Sequence, residues 1–381
     1  MDSQSSPEAQ RPRRTVRSRW SWSFGSIAGI PIRVHVTLIF LLVWVAFGYW
    51  VRGVGPSVTA AGVALVVSVF VIVLLHELTH ALMARRFGVG TRDILLLPIG
   101  GIASLERIPE RPRQEIAIAL VGPIFNLVLA AALWGVLALA GGDPDVRATT
   151  SLGEAIIAQL IWINVALAAF NLLPAFPLDG GRALRALLSI WMGRETATRT
   201  AAGLGKVLAA ALAVFGLFFN PWLVLIAAVI WIGAREEVVL MQIREAIAGV
   251  PARAAMLRKF ESVGADQPLA AAAAIAMETG ADAIPIVDHG RPIGVLTQRD
   301  LALGIDTVGP AAPVASAPHH EALVVSPDEP LEQVLDRLQT DPDAVAVVVD
   351  ETGPIGVLTP EQLGRYVALH ANQRPRTPLA V

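Results

Sequence analysis

The chain has 381 residues, 54% of them hydrophobic and only 16% charged, with a formal net charge of −2 and a mean hydropathy of +0.58. Soluble domains carry about 25% charged residues, so the deficit indicates a membrane protein, and the near-neutral balance argues against a nucleic-acid partner. The absence of cysteine excludes disulfides and leaves His and carboxylates as the only ligands for a metal such as zinc.

Residues 1–25 read as a basic, disordered tail with Arg11, Arg13, Arg14, Arg17 and Arg19 and no cleavable signal peptide. Six apolar segments follow, at about 36–53, 57–85, 115–140, 153–174, 200–219 and 221–235, judged against the ~20 residues a helix needs to cross a bilayer. The last is short for a crossing, and only Asn220-Pro221 separates it from the fifth.

The second segment ends in His76-Glu77-Leu78-Thr79-His80. Ionisable groups at membrane depth cost roughly 2.5–3.5 kcal/mol each, so three on one helix need something that holds them. H-E-x-x-H places two imidazoles one helical turn apart for zinc, with a carboxylate between them. After it, Ile94–Leu97 and Ile102–Leu105 flank a Pro/Gly-Gly turn and read as a short β-hairpin. In the third segment Asn126 of Gly122-Pro-Ile-Phe-Asn126 suits a hydrogen bond between helices.

The fourth segment runs into Asn171-Leu-Leu-Pro-Ala-Phe-Pro-Leu-Asp179-Gly-Gly. Pro174 and Pro177 break the helix, and an Asp on such a segment can turn inward to a metal. A catalytic zinc takes three protein ligands and keeps one position open. His76, His80 and Asp179 are the candidate set; the plainer reading of Asp179 is a turn or helix-terminal Asp. With zinc bound, a water would become acidic enough for Glu77 to take its proton and later pass it to the leaving amine of a peptide. Asn171 has two open roles, capping a broken helix or donating to the oxyanion or the substrate backbone. His35 should be interfacial; His289, His319, His320 and His370 should be exposed polar residues.

Arg85, Arg86, Arg92, Arg107, Arg111 and Arg113, and then Arg182, Arg185, Arg194, Arg199, Arg235 and Arg244, fall on one side of the crossings, with only Arg52 and Arg147 on the other. The positive-inside rule then predicts a multi-pass protein of the cell membrane with both termini cytoplasmic.

After about residue 250 the character becomes that of a soluble domain with an internal repeat. Asp266-Gln-Pro-Leu recurs as Asp328-Glu-Pro-Leu, and Pro292-Ile-Gly-Val-Leu-Thr297 recurs unchanged as Pro354-Ile-Gly-Val-Leu-Thr359, at one offset of about 62 residues. Each unit reads as helix, strand, turn, strand, helix, and the two should pack with pseudo-twofold symmetry.

His76–His80, the Gly-Pro-x-x-Asn element and Asn171–Arg182 together resemble the site-2 protease family of intramembrane zinc metalloproteases, and Gly29-Ile-Pro-Ile-Arg-Val-His35 is similar to the lead into the first span in many bacterial members. The resemblance covers about residues 29–182. It implies one Zn2+ held by His76, His80 and Asp179, with Glu77 as general base and Asn171 on the substrate or oxyanion. It also implies a membrane-associated β element at the hairpin and, as substrate, a membrane-anchored signalling protein such as an anti-sigma factor or a tethered transcription factor, cut in regulated intramembrane proteolysis.

The repeat resembles a tandem pair of cystathionine-β-synthase (CBS) domains over about residues 252–371. This implies an adenine-nucleotide site at Thr297 and Asp300. The second copy has Gln362 where the Asp is expected, so at most one site is intact. A ligand-free dimerisation module, giving a homodimer, is the plainer reading. The expected organisation is a tail (1–25), an α-helical polytopic protease core with a short β-hairpin (26–240), a linker (241–251), a soluble α/β CBS pair (252–371) and a C-terminal disordered tail (372–381). The alternatives are a non-proteolytic membrane sensor or scaffold whose CBS pair is the active module, and a transporter, since buried charges also mark ion paths.

Overall fold

A computed structural model describes residues 20–106, 109, 111–145, 149, 151–338 and 344–370. Residues 1–19 of the expected N-terminal tail (1–25) and all of the expected C-terminal tail (372–381) lie outside the described residues, as do Arg107 and Arg147. The chain divides into two compact units between Met241 and Gln242.

The first unit opens with a strand pair that the sequence reading had assigned partly to the tail: β1 (Ser21–Ile27) and β2 (Ile30–His35). They are joined at Ala28 and Gly29, both with positive φ, the backbone of a tight two-residue hairpin. Helices α1 (Val36–Val51) and α2 (Pro56–Arg86) follow, then the expected hairpin, β3 (Thr91–Leu97) and β4 (Gly100–Leu105). The two hairpins form one four-stranded sheet, ordered β1-β2-β3-β4, with β2 parallel to β3. Arg33 fastens this sheet, donating to Asp93 on β3 at 3.2 Å and to Ser21 on β1 at 2.6 Å.

Helices α3 (Pro112–Leu139), α4 (Leu152–Asn171), α5 (Asp179–Met192), α6 (Arg194–Phe219) and α7 (Pro221–Ile247) complete the unit. Four of the described helices, α2, α3, α4 and α6, are long and apolar enough to cross a membrane. Helix α1 has 16 residues. Helix α7 carries Arg235, Glu236 and Glu237 and runs on to Ile247, so the stretch 241–247, expected as part of a linker, is helical. The bend after α4 is also sharper than a break in one helix: residues 172–178 turn the chain and α5 begins afresh at Asp179. Small residues let the helices approach closely; Ala81, Ala119, Ala158, Ala186 and Ala201 are fully buried. Large apolar residues such as Phe40, Trp44, Val207, Phe215 and Trp222 remain exposed, as expected of surface that faces lipid.

The second unit contains one topology twice. Beyond the single turn α8 (Ala252–Ala255), the first copy has β5 (Val263–Gly264), α9 (Leu269–Thr279), β6 (Ala283–Asp288), β7 (Arg291–Thr297) and α10 (Gln298–Val308). The second has β8 (Leu323–Val325), α11 (Leu331–Leu338), β9 (Ala346–Asp350), β10 (Gly353–Leu358) and α12 (Pro360–His370). In each sheet a parallel pair continues into an antiparallel hairpin, β5-β6-β7 and β8-β9-β10. Val295 of the first copy packs with Val345, Val347 and Val357 of the second, so the copies share apolar core.

Candidate metal centre

Helix α2 buries Ile72, His76, Leu78, His80, Ala81 and Ala84. The four-residue spacing sets His76 and His80 on one side, one turn apart. The Nε2 atoms lie 3.0 Å apart. The carboxylate of Asp179, the first residue of α5, reaches both, with Oδ2 at 3.2 Å from His76 Nε2 and 3.1 Å from His80 Nε2. An acid in the first turn of a helix is favoured by the partial positive charge there. Two imidazoles four positions apart and a carboxylate about 100 positions further on thus converge in a buried cluster, the one set of this kind among the described residues.

This donor set fits zinc. Tetrahedral ligands at about 2.0–2.1 Å from the metal are roughly 3.3 Å from one another, close to the spacings found. His80 Nδ1 lies 2.6 Å from the carbonyl oxygen of Ile118 on α3. Donating its proton there leaves Nε2 with a free lone pair, as a metal-ligating imidazole requires. His76 Nδ1 is buried with no partner among the described residues.

Two glycines make room. A Cβ on Gly122 of α3 would lie 2.3 Å from His80 Nε2 and 2.6 Å from His76 Cε1, so both imidazoles lie against bare backbone. A Cβ on Gly101 of β4 would lie 2.6 Å from Cγ of Glu77. Glu77 is half-buried and is thus bordered by β4, the edge strand of the sheet. Arg182 stands 3.8 Å from the Asp179 carboxylate, one turn along α5.

Asn171 closes α4, half-buried, ahead of the bend that delivers Asp179. Asn126 does not make the interhelical hydrogen bond expected of it. It is 1% exposed, and both polar atoms of its side chain lack a partner among the described residues.

In the second unit Thr297 and Asp300 face each other as a capping box at the start of α10, with Thr297 Oγ1 donating to Asp300 Oδ2 at 2.6 Å. His320, expected in solvent, instead has Nε2 3.3 Å from the same carboxylate oxygen. In the second copy the backbone N–H of Gln362 donates to Thr359 Oγ1, which keeps half of the box.

The sequence reading missed a cluster of charges built on a buried pair, Arg185 and Glu115. Arg185 of α5 donates from Nε and Nη2 to Glu115 Oε1 of α3, at 2.9 and 2.5 Å, and from Nη1 to Glu237 of α7. Arg194 adds a 3.1 Å bond to Glu115 Oε2. The sequence reading counts Arg185 only among the arginines on one side of the crossings, yet its side chain is 4% exposed. The available clue was that Glu115 opens an apolar segment and that Arg185 is flanked by Ala183-Leu184 and Ala186-Leu187-Leu188, and charges in apolar surroundings seldom stay unpaired.

Residues 64–215 match the family described as Peptidase family M50, and residues 252–306 and 314–368 match the CBS domain. A zinc metalloprotease of Methanocaldococcus jannaschii is 30% identical over 326 residues, covering 84% of this chain and 89% of that protein. The Rip3 protein of Mycobacterium tuberculosis is 30% identical over 398 residues, covering 92% of this chain and 94% of that protein. Among solved structures, a site-2 protease from Methanocaldococcus jannaschii is 35% identical, covering 57% of this chain and 95% of that one, with a TM-score of 0.43.

Proposed function

The chain belongs to peptidase family M50, the site-2 type of zinc metalloprotease, and ends in a CBS pair; from that premise we propose that it cuts membrane-anchored regulatory proteins within or near their spanning segments. His76, His80 and Asp179 hold one zinc per chain. The observation that carries this reading is the convergence of two imidazole nitrogens and one carboxylate oxygen within 3.0–3.2 Å. Bound zinc supplies polarisation of the scissile carbonyl and of the attacking water.

The chain's own residues do the rest. The Glu77 carboxylate accepts the proton of the water and returns it to the leaving amine. The Asn171 amide donates to the substrate backbone or to the developing oxyanion. A helical substrate shields its peptide bonds, so it must be held extended. The unpaired edge of β4, against which Glu77 packs, offers the hydrogen bonds of an added strand. The distribution of arginines supports a multi-pass arrangement with cytoplasmic termini.

The CBS pair is read as the regulatory part. An adenine nucleotide near Thr297 and Asp300 would meet a carboxylate already engaged by its own cap and by His320. Binding there would exchange those contacts and shift the pair between two states, which would gate cleavage. Titration of the full chain with ATP, ADP and AMP measures this directly, and three flat traces would leave the pair as a homodimerisation module.

The catalytic reading is tested by co-expressing the wild type and Glu77→Gln and comparing single-span membrane proteins for cleavage. Glu77→Gln should retain zinc and lose product. Equal product from both would overturn the assignment. The scaffold and transporter alternatives gain no support from a gathered set of zinc donors.

A further inference from the structure

We propose that Arg185 is a positioning residue for the metal centre, setting the register of α5, and so of Asp179, against the helix that orients the two imidazoles. The inference rests on the reading of His76, His80 and Asp179 as zinc ligands. Arg185 touches three things, and each bears on that centre. Its first partner, Glu115, lies on the buried stripe of α3 that also carries Ile118 and Gly122. Those positions recur at helical spacing, so they share one face. Ile118 fixes the His80 tautomer through its carbonyl oxygen, and Gly122 supplies the surface against which both rings lie. The Arg185–Glu115 bonds therefore fasten the helix bearing Asp179 to the stripe that orients the imidazoles.

The second partner is the ring of Phe176, whose centroid is 5.2 Å from the guanidinium carbon. Phe176 is 1% exposed and belongs to the bend that delivers Asp179. Arg185 thus joins α5, on which it sits, both to α3 and to the bend that precedes α5. The third partner is Glu237 on α7. Two arginines, Arg185 and Arg194, meet two glutamates, Glu115 and Glu237, so the cluster is neutral and its buried members, Arg185 and Glu115, are paired.

General adhesion between helices would need only charge balance. Positioning needs the planar fork of arginine, which bonds and stacks in one fixed orientation while lysine does neither. Loss of groups that orient metal ligands from behind lowers metal affinity by roughly 10–100-fold.

The test uses the purified full chain. Zinc affinity is measured by competition with chelators of graded strength, and ligand geometry by the visible spectrum of the cobalt-substituted protein. Arg185→Met should weaken zinc by about tenfold or more and alter the cobalt bands, and Arg185→Lys should do so to a smaller extent. Arg33→Met removes a less buried ion pair, with Asp93, from the sheet and should leave both readouts unchanged. Zinc affinity within twofold of wild type, with an unaltered cobalt spectrum in Arg185→Met, would overturn the proposal. So would equal losses in Arg185→Met and Arg33→Met. If Arg185→Met yields no folded chain, Arg185→Lys and Glu115→Gln are judged by the same criterion. A wild-type chain that binds no zinc would instead sink the metal-centre reading itself.

Discussion

Gly122 shows how narrow the tolerance is at a single residue. Any side chain there would enter the space of both imidazoles. Gly122→Ala should therefore lose zinc on purification, as measured by metal content per chain, while helix content by circular dichroism stays near wild type. Replacing Asp179 should act on the same readout by a different route. Asp179→Ala removes one of three donors and leaves the two Nε2 atoms facing an empty corner. Metal content should fall to a small fraction of one per chain, and added zinc should restore it only at much higher concentration. His76, Glu77, His80 and Asp179 could be named from the chain because ionisable groups in apolar helices need a reason to be there. The contacts of Gly122 with the rings, and of Ile118 with His80, could not, because they join helices through backbone atoms that every residue shares.

Among the elements, the sheet departs most from what the sequence suggested. Its second hairpin is legible as two apolar runs around Pro98-Ile99-Gly100-Gly101. The first overlaps the expected tail, although Trp20, Trp22 and Phe24 alternate with Ser21, Ser23 and Gly25, and Ile30, Ile32 and Val34 alternate with Pro31, Arg33 and His35 beyond the Ala28-Gly29 turn. The parallel junction of β2 with β3 joins segments some 60 residues apart, and no local pattern announces it. If β4 receives substrate as an added strand, a proline in it should reduce cleavage while zinc content is retained. Ile102→Pro tests this by product formation and metal content together, and unchanged cleavage would sink the strand-addition idea. In the second unit, His289 holds a positive φ of 47° in the turn between β6 and β7. A β-branched side chain is poorly tolerated there, so His289→Val should cost about 1–2 kcal/mol of stability, visible as a lower melting temperature of the second unit.

For the whole molecule, two units with separate cores predict separable behaviour. The first contains all three proposed zinc donors, Glu77 and Asn171. The second has its own clusters around Leu331, Val334 and Leu358 and around Leu269, Ile286 and Leu296. A chain truncated after Met241 should still bind one zinc, as read by metal analysis of the purified membrane fraction. Any effect of nucleotide on cleavage should disappear with the second unit.

Composition, apolar segments, the H-E-x-x-H spacing and the repeat are local or periodic properties, so the chain alone determined a membrane protein with a zinc-ligand motif and a soluble unit present twice, which by resemblance pointed to a protease and a CBS pair. Which distant groups meet was decided only in three dimensions. Asp179 was a candidate among plainer readings until the bend after α4 and the new helix α5 brought its carboxylate to two imidazoles about 100 positions away. Arg185 was one of several arginines on one side of the crossings until α3, α5 and α7 enclosed it. The physical reason is common to both. The cost of a buried charge can be seen in one segment, but the partner that offsets it belongs to another, and only packing brings the two together.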